Sequence, residues 1–93
     1  MAISFEGAFI DIVTDEVGFH ALRRGSRILC RVTSEALQDY TGAGTDWTRA
    51  KALAAFHKNQ TRIEEVATRL IEKGRHEEEG SVLITFDRLR FGA

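Results

Sequence analysis

The chain has 93 residues, of which 43% are hydrophobic and 29% are charged, and its formal net charge is −1. This length predicts one domain over residues 1–93, and the composition excludes an intrinsically disordered chain. The near-neutral charge excludes a protein that attracts nucleic acid or membranes through its overall charge.

The cysteine content and the N-terminal sequence indicate the compartment. The chain has one cysteine, Cys30, which cannot form an internal disulfide. The start, MAISFEGAFIDIVTDE, has neither the basic region nor the apolar run of a signal peptide. No apolar stretch approaches the roughly 20 residues that span a bilayer. We therefore expect a cytoplasmic protein that does not contact membranes.

The N-terminal segment predicts the first strand. An apolar start at residues 3–5 is interrupted by Glu6-Gly7, and residues 8–13 are rich in side chains that favour strands. The polar residues 14–16 then predict a turn.

A hairpin is predicted next. Residues 17–23 and 27–33 both alternate between apolar and polar side chains, and Gly25-Ser26 between them suits a two-residue turn with glycine first. Phe19 and Cys30 fall on the apolar face, whereas the arginines fall mainly on the other. This pattern is typical of an antiparallel sheet with one solvated face.

Two helices are predicted in the middle of the chain. Residues 35–40 form a short helix that Thr33 or Ser34 can cap. Residues 46–74 then form one long amphipathic helix, with apolar positions at steps of three and four. Thr45 or Asp46 would cap its start, and Gly74 would end it.

The length of this second helix is unusual. At about 1.5 Å per residue it would reach roughly 40 Å, which is long for so small a domain. Two interpretations stay open: a kink near residues 58–61, or a helix that extends beyond its own sheet into a partner.

Residues 81–86 predict the last strand. Val82, Ile84 and Phe86 would face inward, but Leu89 and Phe91 have the opposite parity. Either the strand stops or bulges near residue 87, or these two side chains cover the second face of the sheet.

These elements predict an α+β fold. A small antiparallel sheet of three to four strands would pack against a short helix and one long helix, in the order β-β-β-α-α-β. The predicted core consists of Phe19, Ile28, Cys30, Val32, Leu37, Leu53, Phe56, Ile63, Ala67, Leu70, Val82, Ile84 and Phe86.

An ordered set of residues carries a family resemblance. The set is Val17-x-Phe19-x-Ala21, Gly25, Cys30-x-Val32-Thr33-Ser34-Glu35-Ala36-Leu37, Leu53-x-x-Phe56-x-x-Asn59, Ile63-Glu64-x-x-Ala67 and Gly74. It resembles a family of short bacterial proteins, domain of unknown function fourteen-eighty-eight. The resemblance implies an α+β fold with a small antiparallel sheet against helices, and it implies no activity. An arginine often follows the asparagine in that family, and Gln60 stands there in this chain.

The sequence predicts no catalytic, cofactor or metal site. Cys30 shares a strand face with apolar residues, and His20 falls on the opposite face, so a Cys-His nucleophile is not favoured. His20, His57 and His76 are too far apart in sequence to suggest a metal-ligand motif.

Two further motifs have simpler interpretations. Glu77-Glu78-Glu79 fits a solvated loop that protects the next strand edge rather than a cation site. Gly42-x-Gly44 lacks the lysine and the preceding strand of a phosphate-binding loop.

The arginines of the hairpin form the one predicted binding cluster. Arg23, Arg24, Arg27 and Arg31 could bind an anion or an acidic partner, because guanidinium groups match phosphate and carboxylate oxygens. Arg88 and Arg90 would join them if the last strand neighbours the hairpin. The alternative is a solvated face on which acidic side chains pair with these arginines.

Three functions follow from these observations. The leading hypothesis is a small non-enzymatic bacterial accessory or protein-interaction domain that forms a homodimer or binds an unknown protein. The second is a nucleic-acid-associated regulator that uses the arginine-rich hairpin, whose binding would weaken as salt rises. The third is an uncharacterised enzyme, which a deep pocket holding His20 or His57 beside a carboxylate would support.

Overall fold

A computed structural model of the chain describes residues 3–11, 13–41 and 48–92, with backbone only at residues 40 and 41. Four strands form one sheet in the order β1-β2-β3-β4: Ser4–Ile10, Val17–Arg23, Ser26–Val32 and Val82–Ile84. Four helices occupy Ser34–Thr41 (α1), Arg49–Lys58 (α2), Gln60–Glu72 (α3) and Phe86–Phe91 (α4). The fold is α+β, as predicted.

The predicted hairpin is confirmed, with a different turn. β2 and β3 pair antiparallel, and Phe19 lies opposite Cys30. The two-residue turn is Arg24-Gly25, with φ of +52° and +78°, so glycine takes the second position rather than the first. Positive φ at both positions is the geometry that matches the twist of a tight hairpin.

β1 is one strand rather than a short start followed by a separate strand. It pairs antiparallel with β2, and its register shifts between Glu6 and Phe9. Gly7 lies inside this shift with a φ of +71°, a value that residues with a Cβ rarely adopt. Gly7 therefore forms a β-bulge, and the side chains after the bulge change faces.

The predicted long helix is wrong as a continuous element, and the kinked alternative is the observed one. α2 ends and α3 begins around Asn59, whose φ of −112° and ψ of 19° leave the helical path. The Asn59 amide nitrogen Nδ2 donates to the Ala55 carbonyl at 2.9 Å, and the Asn59 carbonyl accepts from the Ile63 N–H at 3.0 Å. Both halves bury apolar residues in the core.

The helix starts are capped by threonines. The Thr33 hydroxyl accepts from the Ala36 N–H at 3.0 Å, and the Thr48 hydroxyl accepts from the Lys51 N–H at 3.1 Å. The predicted caps Thr45 and Asp46 and the motif Gly42-x-Gly44 lie outside the described residues.

The sheet is mixed rather than antiparallel. β4 pairs parallel to β3, with Val32 opposite Ile84. The connection between these strands includes α1, α2 and α3, and such a crossover returns the chain in the same direction.

The predicted last strand is too long, because it ends at Ile84 and Phe86 begins α4. The Thr85 hydroxyl accepts from the Arg88 N–H at 3.4 Å and caps this helix. Leu89 is buried in the core, whereas Phe91 is 73% exposed. Leu89 and Phe91 lie on this helix, so the alternation of a strand does not apply to them.

The core lies between the helices and one face of the sheet, which we call the inner face. Of the predicted core residues, Ile28, Leu53 and Phe86 are partly buried against this core, and the others are buried. Phe19 packs at its centre, 5.3 Å from the Phe56 ring and 5.9 Å from the Phe5 ring between centroids. Over the described ranges, no helix is both long and apolar enough to cross a bilayer.

Candidate functional site

The face of the sheet opposite the core, which we call the outer face, is the candidate functional surface. The register places on it Ser4, Glu6, Phe9, Gly18, His20, Leu22, Arg27, Leu29, Arg31 and Leu83. The leucines and His20 are half-buried, and Phe9 is 41% exposed. The buried residues of α1 to α4 belong to the core on the other side of the sheet.

Phe9 is the most prominent side chain of the outer face. Its ring stacks on the His20 ring, with centroids 5.9 Å apart and planes at 30°. The ring also lies across Gly18 on the neighbouring strand, and a Cβ at Gly18 would collide with it. The absence of a side chain at Gly18 therefore lets Phe9 lie flat on the sheet.

Ion pairs surround this aromatic pair. Arg27 Nη2 lies 2.7 Å from Glu6 Oε1, and Arg31 Nη1 lies 3.1 Å from Glu16 Oε1. Arg31 Nη2 also contacts Glu79 Oε1 at 3.0 Å and the Ser81 hydroxyl oxygen at 3.0 Å. The outer-face arginines are therefore neutralised locally by carboxylates.

The structure does not gather the predicted arginine cluster on one surface. Arg27 and Arg31 lie on the outer face, Arg24 is exposed in the turn, and Arg23 lines a cavity on the inner side. Arg88 and Arg90 lie on α4 rather than on a strand beside the hairpin.

The two α4 arginines have local contacts. Arg88 Nη1 donates to the Leu83 carbonyl at 2.8 Å. The Arg90 guanidinium lies 5.9 Å from the Phe86 ring centroid and 5.3 Å from that of Phe91.

Cys30 is buried on the inner face. Desolvation raises the pKa of its thiol to about 12, and a hydrogen bond from the backbone of Ala21 opposes this only in part. The nucleophilic form of cysteine is the thiolate, which this environment disfavours. His20 lies on the opposite face of the sheet, so it cannot act as a base for Cys30.

The other two histidines, His57 and His76, make only local contacts. His57 Nδ1 lies 3.5 Å from the Gln60 amide oxygen, and His76 Nδ1 lies 3.1 Å from the Glu77 carbonyl. Among the described residues, no group of three His, Cys, Asp or Glu side chains converges as a metal would need.

The sequence analysis did not identify Phe9 as a site residue. Phe9 is four positions after Phe5, which contacts Phe19 on the inner face, so regular alternation would have placed Phe9 inside. The bulge between Glu6 and Phe9 reverses this parity. Gly7 was the signal in the sequence that could have revealed it.

The family model described as "Protein of unknown function (DUF1488)" matches residues 3–84, which cover the whole sheet and the first three helices. The chain belongs to the DUF1488 family. The family carries no assigned activity, so membership agrees with the predicted resemblance and adds no reaction.

A solved structure from the same family has the same fold. It is the crystal structure, at 1.60 Å resolution, of a DUF1488 protein of unknown function from Shewanella loihica PV-4. The TM-score is 0.81 and the sequence identity is 26%, over 88% of this chain and 90% of that one. A search of curated proteins gave no match.

Proposed function

We propose that this DUF1488 protein is a non-enzymatic interaction domain that self-associates through the outer face of its sheet. The observation that carries the proposal is the Phe9 ring, 41% exposed and stacked on His20 within a face that also carries three leucines. Exposed apolar surface of this kind marks interaction sites on soluble proteins.

The charges of the outer face support a second copy of the chain as the partner. Arg27 and Arg31 already pair with Glu6, Glu16 and Glu79, so two such faces can meet without strong repulsion. In a two-fold dimer the same patch contacts itself, and aromatic and leucine side chains would meet their own equivalents. The same ion pairs argue against the nucleic-acid regulator, which would need arginines free for phosphates.

The size of the face predicts weak association. Three strands of seven residues span about 14 by 23 Å, which is roughly 300–400 Å² of sheet plane per copy. Stable interfaces bury about 800 Å² on each partner, so we expect a dissociation constant of roughly 10–500 µM.

The localisation that we propose is the cytoplasm, on the basis of the unpaired cysteine. Cys30 is a free, buried thiol, and unpaired thiols are usual in reducing compartments.

Sedimentation velocity at increasing protein concentration tests the proposal. Phe9→Ala should raise the dimer dissociation constant about tenfold, because an aromatic at the centre of an interface often contributes more than 1 kcal/mol. Gly18→Ala should also weaken the dimer by displacing the ring while keeping its apolar surface.

Phe91→Ala is the matched control, since Phe91 is an exposed phenylalanine on α4, away from the outer face. It should leave the dissociation constant unchanged. A wild-type chain that stays monomeric at millimolar concentration would refute self-association. Equal effects of Phe9→Ala and Phe91→Ala would refute the assignment to the outer face.

A further inference from the structure

A second feature lies at the opposite side of the hairpin from the outer face. A cavity of about 210 Å³ opens between the end of the hairpin, the end of α3 and the loop before β4. Ile28 and Ile71 form the accessible apolar part of its wall, over the buried core residues Leu70 and Val82. Arg23, Arg75 and His76 form the polar part. Such a mixture of apolar surface and a few polar groups is typical of small-molecule sites.

The arginines reach the cavity because of how their elements end. Arg23 lies on the inner face of β2, like Phe19 and Ala21, but unlike them it is not buried in the core. Arg75 follows the end of α3, where its N–H donates to the Leu70 carbonyl at 2.8 Å and the Gly74 N–H donates to the Ile71 carbonyl at 3.1 Å. This pair of bonds is a Schellman motif, which fixes the backbone of Arg75 beside the cavity.

The loop that completes the cavity is also closed by backbone bonds. The Glu77 N–H donates to the Ser81 carbonyl at 2.8 Å, and the Gly80 N–H donates to the Glu77 carbonyl at 2.9 Å. The His76 Nδ1 atom lies 3.1 Å from that same Glu77 carbonyl oxygen. These backbone bonds define the loop that borders the cavity.

The electrostatics of this cavity differ from those of the outer face. Among the described residues, no carboxylate lines the cavity, and the guanidinium groups of Arg23 and Arg75 have no hydrogen-bond or ion-pair partner. The nearby acid Glu79 is instead held by Arg31 and Ser81 on the outer side. Arg23 and Arg75 therefore offer two guanidinium groups that no carboxylate among the described residues neutralises, and such groups pair strongly with carboxylates.

We propose that this cavity binds a small carboxylate with a short apolar body, either a free acid or the C-terminal residue of a peptide. The carboxylate pairs with Arg23 and Arg75, and the apolar body lies against Ile28 and the accessible edge of Ile71. The volume is below the roughly 300–1,000 Å³ of sites for drug-sized ligands, so the occupant is small. This proposal does not depend on self-association through the outer face.

Titration of the isotope-labelled chain followed by NMR tests the proposal. Isocaproate should shift the amide signals of Leu70, Ile71 and Gly80 in a saturable manner. Arg23→Gln and Arg75→Gln should each raise its dissociation constant about five- to tenfold, the range expected for a partly exposed charge-assisted hydrogen bond. Arg27→Gln, an arginine change on the other face of the same hairpin, is the matched control and should leave binding unchanged.

Four other outcomes decide the chemistry and the source of the ligand. No saturable shift with isocaproate would overturn the proposal, and equal binding of isocaproamide would overturn recognition of the carboxylate. Tighter binding of inorganic phosphate would overturn the role of the apolar wall. A short peptide ending in leucine that binds more tightly than isocaproate, and loses binding when its C-terminus is amidated, would support a peptide terminus as the source.

Discussion

The two faces of the sheet are built from the same strands and differ in what their side chains do. On the inner face, Phe19 is 1% exposed and contacts the rings of Phe5 and Phe56. On the outer face, Phe9 is 41% exposed and contacts His20, within a border of arginine-glutamate pairs. A phenylalanine that is buried in a core stabilises the fold, whereas one that stays exposed is available to a partner.

The bulge at Gly7 determines which phenylalanine has which role. Phe5 precedes the bulge and packs inward, whereas Phe9 follows it and lies outward. Four residues apart on a regular strand, both rings would lie on one face. The bulge therefore places an aromatic side chain on a face that regular alternation would leave without it.

The two faces should differ most in how much their phenylalanines contribute to the free energy of unfolding. Phe19→Ala should lower the free energy of unfolding by about 3–5 kcal/mol, because it leaves a cavity in the core. Phe9→Ala should lower it by less than about 1 kcal/mol, because the ring is already partly solvated. Urea denaturation followed by circular dichroism measures both values, and equal losses would contradict the distinction between the faces.

The ion pairs at the border of the outer face should have an intermediate effect. Arg31 is partly buried and bonds to Glu16, Glu79 and Ser81, so Arg31→Ala should cost about 1–2 kcal/mol of unfolding free energy. Arg27 has one partner, Glu6, and both are more exposed, so Arg27→Ala should cost less than about 1 kcal/mol. The same denaturation experiment compares them, and a larger loss for Arg27→Ala would contradict the role of the Arg31 network.

Much of this fold follows from the sequence, for local reasons. Alternation in residues 17–33 predicted the hairpin and its inner face, because a strand with one buried face must alternate. The sequence could not predict that the helix breaks at Asn59, because apolar residues recur at steps of three and four on both sides of it. α4 was missed because Phe86 continues the parity of the short strand β4, although Thr85 and Gly92 mark the ends of a helix.

The candidate sites were harder to predict than the fold. The arginine-rich hairpin suggested one cluster. Arg23 pairs with Ser26 on the inner face, however, and Arg27 is the next residue of β3. Because neighbouring residues of a strand lie on opposite faces, Arg27 and Arg31 lie on the outer face, away from Arg23. The partners Glu16 and Glu79 are distant in sequence from Arg31, so no local pattern indicated that they would neutralise it.

The smallest expected effect is a pH dependence at the border of the outer face. The hydrogen bond from the Ser81 hydroxyl lowers the pKa of the Glu79 carboxyl below its ordinary 4.5, with a smaller contribution from the charge of Arg31. Because the folded-state pKa is the lower one, this carboxylate stabilises the fold above pH 4.5. The stabilisation is lost as the pH falls through the folded-state value.

Thermal unfolding at a series of acidic pH values measures this effect. The melting temperature of the wild type should fall slightly more on acidification than that of Glu79→Gln, which lacks the titrating group. An identical pH dependence of the two proteins would contradict a contribution from Glu79.

We propose above that two copies of this chain meet through the outer face. Isotope-filtered nuclear Overhauser spectra of mixed labelled and unlabelled chains test it directly at millimolar concentration. If the outer faces meet, intermolecular contacts should appear among Phe9, His20, Leu22 and Leu29, and Phe9→Ala should abolish them. Intermolecular contacts confined to the exposed sides of α2 and α3, or none at all, would contradict it.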